Sequence, residues 1–317
     1  MLLQSTRTSS IQDSIGLADL DKTTFQLGAK MTDVVIHAGN LRFLKEALET
    51  GCSKIRFGSE FCMYARPRVE ELKRAYEMTT EAGKEFVYVT PRIAESYVEK
   101  TCRHLELLND IGGGTVVVND LGMLHSLGEL SDLKPHLGRQ LVYTPARCPW
   151  DEITEHPVSF FTKRKVEKIF YQTALNYEPT IEFYKELKVI GADVDWIPKL
   201  FPNLRFISRN GLQISVHLQS IPAAITRKCH MARFLGETDL DQCSRPCYTK
   251  AYLMSNPILD KKLYLHGNVV YRLEAPNKKT MSSLKNSGAS ELILTMSPLS
   301  QITTQPQLED VIQQIQS

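Results

Sequence analysis

Short apolar runs alternate with amphipathic stretches along most of the chain. "DVVIHAGN" sets Val34, Val35 and Ile36 together, and "LRFLKEALETG" places Leu41, Leu44, Ala47 and Leu48 at i, i+3, i+6 and i+7, one face of a helix. Asn40 stands where a cap belongs, and Gly51 where the helix should stop. The pattern repeats: strand "KIRFGSE", helix "RVEELKRAYEMTTEAG", strand "EFVYVTP", helix "ESYVEKTCRHLELLNDI", strand "TVVVND", helix around "LGMLHSLGEL", strand "QLVYTP". Further on, "KIFYQTAL", "DVDWIP", "LRFIS", "QISVHLQS" and "ELILTMSP" read as strand-like, with helices at "EPTIEFYKELKVIG" and "QPQLEDVIQQIQ". One unit every ~30 residues is the rhythm of a parallel sheet covered by helices. Apolar runs without strict alternation suit strands buried on both faces. The number of units predicts an α/β fold, a (β/α)8 TIM-barrel-like parallel barrel. Residues 1–22, rich in Ser, Thr and Gln, read as a flexible lead-in to a single barrel domain over 23–317, with order beginning near Phe25–Lys30. Ile221 to about Leu265 breaks the rhythm and reads as an insertion near one barrel mouth.

Composition narrows the classes. Lys and Arg total 38 against 36 Asp and Glu, a net charge of +2 that does not announce a nucleic-acid binder. No apolar run approaches the ~20 residues of a membrane helix. "MLLQSTRTSSIQDS" lacks the apolar core of a secretory signal. The expectation is a cytoplasmic protein whose seven cysteines stay reduced. In that setting clustered cysteines point to metal or redox chemistry.

The cluster is "CHMARFLGETDLDQCSRPCYTK", with Cys229, Cys243 and Cys247. Pro246 breaks any helix between the last two, so a loop that wraps an ion or cluster is expected. Cys62, in "RFGSEFCMYARPR" just past a strand end, brings the count to four. Four thiolates satisfy either a tetrahedral zinc or a [4Fe–4S] cluster, and spacing alone does not choose. Cys52 and Cys102 read as small buried hydrophobes, and Cys148 could line the mouth.

"FQLGAK", "IRFGSEFCMYARPR", "QSIPAAITRKCHMAR", "CSRPCYTK", "LYLHGNVVYRL" and "GASELILTMSP", in that order, resemble the U32 peptidase-like family and, within it, the UbiV-type branch of oxygen-independent ubiquinone biosynthesis. The resemblance implies a [4Fe–4S] cluster on Cys62, Cys229, Cys243 and Cys247. It also implies support of an O2-independent hydroxylation, as heterodimer partner of a UbiU-like subunit. Other members of the family hydroxylate RNA bases, which makes RNA-base hydroxylation an alternative reading for this chain, and a prephenate-like oxygen donor is implicated. Classical peptidase activity is not expected, since no Ser/His/Asp, Cys/His or zinc-hydrolase constellation is evident. A zinc-stapled, non-catalytic barrel stands as the alternative from another class.

If the donor is a dicarboxylate, arginine forks are wanted. Arg66 and Arg233 each lie four residues from a proposed cluster ligand, and Arg209 reads as a strand end. Arg68 and Arg227 are further neighbours. His37 and His217, at expected strand ends, and Glu60 in "GSE" are the candidate proton-handling groups. Asn119-Asp120 reads as a helix cap, and Gly112–Gly114 as a tight turn with no phosphate-loop context.

Overall fold

A computed structural model describes residues 33–145, 160–256 and 261–316. The 1–22 lead-in, the opening strand at Phe25–Lys30 and Cys148 lie outside the described residues.

Eight strands close into a barrel: β1 (Asp33–Ala38), β2 (Lys54–Gly58), β3 (Glu85–Val89), β4 (Gly114–Val118), β5 (Leu133–Leu137), β6 (Gly191–Asp195), β7 (Gln213–His217) and β12 (Glu291–Met296). Every pair is parallel, and β12 seals the ring against β1 with Val35 opposite Ile293. Helices lie between them: α1 (Leu41–Leu48), α2 (Val69–Glu81), α3 (Val98–Ile111), α4 (Leu121–Leu127), α5 (Arg139–Val142), α6 (Phe160–Phe170), α7 (Glu178–Glu186) and α8 (Phe201–Arg209). After the second sheet come α10 (Lys278–Lys285) and α11 (Gln305–Gln316).

Local chemistry explains the boundaries. Asn40 Oδ1 accepts from Phe43 N at 3.0 Å and starts α1. Asp120 does the same for α4, accepting from Gly122 N at 2.9 Å. Strand-facing Leu44, Ala47, Leu72, Leu105 and Leu108 on the helices fill the layer between helices and strands, a single continuous core.

Three strand expectations are corrected. "LRFIS" belongs to α8, where Leu204 and Ile207 are buried and Arg205 and Phe206 exposed, a one-sided helical stripe. "KIFYQTAL" spans the end of α6 and a 3-10 turn at Ala174–Asn176. The fifth strand is "LKPHL", not "QLVYTP"; Lys134 and Pro135 disguise it, while Arg139–Val142 forms the short α5.

Residues 219–274 leave the barrel after β7 and build a second, antiparallel sheet: β8 (Gln219–Ile225), β9 (Tyr252–Asn256), β10 (Lys261–His266) and β11 (Val269–Glu274), in the order β8-β11-β10-β9. The short helix α9 (His230–Phe234) follows β8. Among the described residues no helix is long and apolar enough to cross a membrane.

The inside of the barrel is charged. Arg56 on β2 donates to Asp193 on β6 at 2.7 and 2.8 Å and to Glu291 on β12 at 3.1 Å. His136 Nε2 and His217 Nε2 meet the same Asp193 at 2.8 and 3.0 Å. Strands β2 and β6 are not neighbours, so these bonds run across the interior.

Candidate functional site

A cavity of about 110 Å³ opens at the carboxyl ends of the strands, where barrel chemistry resides. His37 ends the turn-facing side of β1, Gly58 to Cys62 follow β2, and Thr295 and Met296 end β12. Residues from the β10–β11 hairpin, His266 to Tyr271, complete the lining. His37 Nε2 donates to the Gly58 carbonyl at 3.1 Å, which leaves Nδ1 as the acceptor. Burial, the largest influence, brings His37 down to about 4, so it is neutral at ordinary pH. Gly58 has φ +130°, and a Cβ there would drive into the Val89 carbonyl oxygen. Only glycine lets the chain leave β2 and turn toward Glu60 and Cys62.

Glu60 is held by Arg139. Arg139 Nε and Nη2 donate to its two oxygens at 2.7 and 2.5 Å, while Nη1 reaches Asp195 at 2.7 Å and the Ser220 carbonyl at 3.0 Å. The guanidinium lies 5.1 Å over the Phe61 ring. Burial alone would push Glu60 up; the Arg139 charge and its fork overcome it and hold the carboxyl below its usual range. Asp195 receives one nitrogen only, and there burial wins and pushes it up. Gln140 Nε2 pins the Glu60 carbonyl at 2.6 Å.

Beside this cavity lies a smaller one, lined by all of Cys62, Cys229, Cys243 and Cys247, with Ala65, Met231, Leu240 and Pro246 as apolar wall. Cys62 comes from the β2–α2 loop; the other three come from the segment between β8 and β9. Cys62 and Cys247 line the mouth cavity as well. Burial pushes the Cys62 thiol up, and pushes Cys243 to about 11 and Cys247 to about 12; at Cys247 the charges of the other three sulfurs add to it. Backbone amides point at sulfur: Ala232 N reaches Cys229 Sγ at 3.4 Å and Arg245 N reaches Cys243 Sγ at 3.4 Å. Arg245 adopts φ +56° to present that amide, a left-handed conformation uncommon outside glycine. This donor set fits a polycationic centre: four sulfurs that repel one another as thiolates are stabilised by a metal group between them and by N–H donors behind them. Among the described residues no three His, Cys, Asp or Glu side chains converge as a single bound ion requires.

A wider cleft of about 530 Å³ shares Phe61, Cys62 and Asn268 with the mouth cavity and adds Ile93, Ile225 and Cys229. Asn268 Nδ2 ties its walls together, donating to Phe61 O at 3.0 Å and Thr226 O at 2.8 Å.

The structure therefore gathers His37, Glu60, Cys62 and Cys247 around one cavity. His217 is buried deeper, in the barrel interior with Asp193, and does not line the cavity. Arg66 faces a separate, outer cavity. Arg209 is exposed at the carboxyl end of α8, not at a strand end. A helix end there leads into the next strand's amino end, opposite the mouth. Arg233 is exposed on α9 and lines none of these cavities. The residue that sequence reasoning missed is Arg139. Its signal was present in "LGRQ", a charge directly after an apolar strand end, but assigning the following run to a strand hid it.

No protein-family model matches the chain, and no curated protein matches it significantly in sequence. Among solved structures it is similar to a U32 peptidase, at 12% identity over 88% of this chain and 98% of that one, with a TM-score of 0.43. It is similar to thiamine phosphate pyrophosphorylase from Pyrococcus furiosus, at 10% identity, 90% and 97% coverage and a TM-score of 0.43. Orotidine 5'-monophosphate decarboxylase from Sulfolobus solfataricus is another, at 9% identity, 90% and 100% coverage and a TM-score of 0.38. The chain's own strand order makes it a closed parallel (β/α)8 barrel with four cysteines at its carboxyl mouth.

Proposed function

We propose that the chain is an iron–sulfur protein of the UbiV type within the U32 peptidase-like family, supporting an O2-independent hydroxylation in ubiquinone biosynthesis. In this reading Cys62, Cys229, Cys243 and Cys247 hold a [4Fe–4S] cluster. The supporting observation is that these four thiols, one of them remote in sequence, line a single cavity that abuts the barrel mouth. Zinc is the competing occupant. A single zinc, about 2.3 Å from each sulfur in a tetrahedron, draws four thiolates to about 3.8 Å from one another. In a cubane each thiolate binds its own iron at a separate corner, so the sulfurs stay further apart. The four thiols ring one cavity beside the mouth, and it is the motif resemblance that favours the cubane over zinc.

When bound, such a cluster supplies one-electron transfer. The chain's own residues do the rest. A cavity of about 110 Å³ is of the size that takes one aromatic ring. Phe43, Phe61, Tyr248 and Tyr271 supply apolar walls that exclude water. Neutral His37 offers Nδ1 as an acceptor for a substrate hydroxyl. Tyr271 stays protonated, because burial pushes its hydroxyl up, and serves as a donor. Glu60, ionised and clamped by Arg139, orients its surroundings and does not supply a proton at neutral pH. The UbiU-like partner and the prephenate-like oxygen donor belong to the same reading and rest on the motif resemblance.

The test is oxygen-free isolation followed by iron and acid-labile sulfide analysis and EPR of the reduced protein. About four irons and four sulfides per chain are expected. A colourless preparation with one equivalent of zinc overturns the cluster. Loss of ubiquinone in anaerobic but not aerobic growth on deletion of the gene tests the hydroxylation.

A further inference from the structure

A fourth cavity, of about 960 Å³, lies between the Met63–Val69 turn and the amino end of α3. Its lining carries five cationic side chains, Arg66, Arg68, Lys100, Arg103 and Arg245, against two carboxylates, Glu71 and Asp241. Little of that charge is neutralised within the protein. Arg103 pairs with Glu99 at 2.5 Å, an exposed contact on one helix face. Arg245 stands 3.8 Å from Glu71, at the limit of an ion pair. Arg66 has no carboxylate within ion-pair distance among the described residues, and its Nε and Nη1 are buried without an acceptor. The contrast with the two buried arginines is direct: Arg56 holds Asp193 and Glu291, and Arg139 holds Glu60 and Asp195. Instead, Arg66 and Lys100 crowd one ring, 5.3 and 5.0 Å from the centroid of Tyr97. Two cations sharing one ring repel each other, and the ring compensates only part of the cost. Arg245 Nη2 donates to the Arg66 carbonyl at 3.0 Å and fixes the two arginines relative to each other.

We propose that this cavity binds a polyanion, a ligand carrying at least two phosphate or carboxylate groups, with Arg66 and Lys100 as its principal contacts. Separated cations around a wide cavity match several oxyanionic groups better than one, and guanidinium N–H donors suit oxyanions. The proposal does not depend on a cluster being present, although Cys243 lines the same cavity.

The full-length chain is titrated calorimetrically with pyrophosphate and with citrate, at low and at high salt. At least one of them binds, more weakly in salt, and preference between them tells phosphate from carboxylate. Arg66→Gln and Lys100→Gln each weaken binding about ten-fold or more, while the exposed Lys134→Gln leaves it unchanged. Lys100 is exposed, so its replacement decides the matter should Arg66→Gln fail to fold. Absence of binding to both polyanions, or binding indifferent to Arg66→Gln and Lys100→Gln, overturns the proposal.

Discussion

Arg139 meets Glu60 through two parallel hydrogen bonds, at 2.7 and 2.5 Å, and both side chains are about 95% buried. The pair joins the loop after β2 to the helix after β5, so it sets the shape of the mouth. Removing one partner leaves a buried charge. Arg139→Ala should cost about 3–5 kcal/mol of stability. Arg139→Lys keeps a charge but not the fork, and should recover only part of that loss. Denaturant unfolding measures both. A loss under about 1 kcal/mol for Arg139→Ala would mean the pair is solvated in solution.

The cysteines divide into two classes. Replacing Cys62, Cys229, Cys243 or Cys247 by Ser should each abolish stoichiometric iron and sulfide in protein isolated without oxygen. Cys52→Ser and Cys102→Ser should retain both. Cys52 accepts a hydrogen bond from Thr50 Oγ1 at 3.2 Å and packs beneath α1, as a small buried hydrophobe does. Full iron content in Cys62→Ser would remove the remote loop from the ligand set.

Acid should unfold the protein in a window set by two histidines. Burial holds His37 and His104 down to about 4, with Arg66 adding to the effect at His104. Unfolded, both take up protons near 6.5. Their contribution to stability is therefore complete above 6.5 and lost as pH falls from 6.5 toward about 4, up to roughly 3 kcal/mol for each. Urea midpoints between neutral and mildly acidic pH should fall less steeply in His104→Gln than in the parent. An identical slope would place the titration elsewhere.

Gly58 is a backbone requirement. Its φ of +130° and the Val89 carbonyl in the way of a Cβ leave no room for alanine. Gly58→Ala should cost roughly 3 kcal/mol, and the shift it forces should displace the carbonyl that holds His37. A melting temperature within a degree or two of the parent contradicts this.

Much of the barrel was legible in the chain. Val34 to Ile36 and Val116 to Val118 are continuous apolar runs because both faces of those strands are covered, and Leu44, Ala47, Leu105 and Leu108 repeat at helical spacing because one face meets the strands. Asn40 and Asp120 announced their helices through short-range hydrogen bonds, which need only neighbouring residues. Local order of this kind is written in the sequence because the forces that make it act over a few residues. The four cysteines were legible as residues, and Cys243-x3-Cys247 as a loop, for the same reason. That Cys62 lines the trio's cavity, that Arg139 serves Glu60, that Arg56 crosses the barrel to Asp193 and that Arg66 goes without a carboxylate were decided only by tertiary folding. Burial and ion pairing depend on which distant strands close into a ring, and nothing in the residues flanking Arg209 tells a barrel's mouth from its floor.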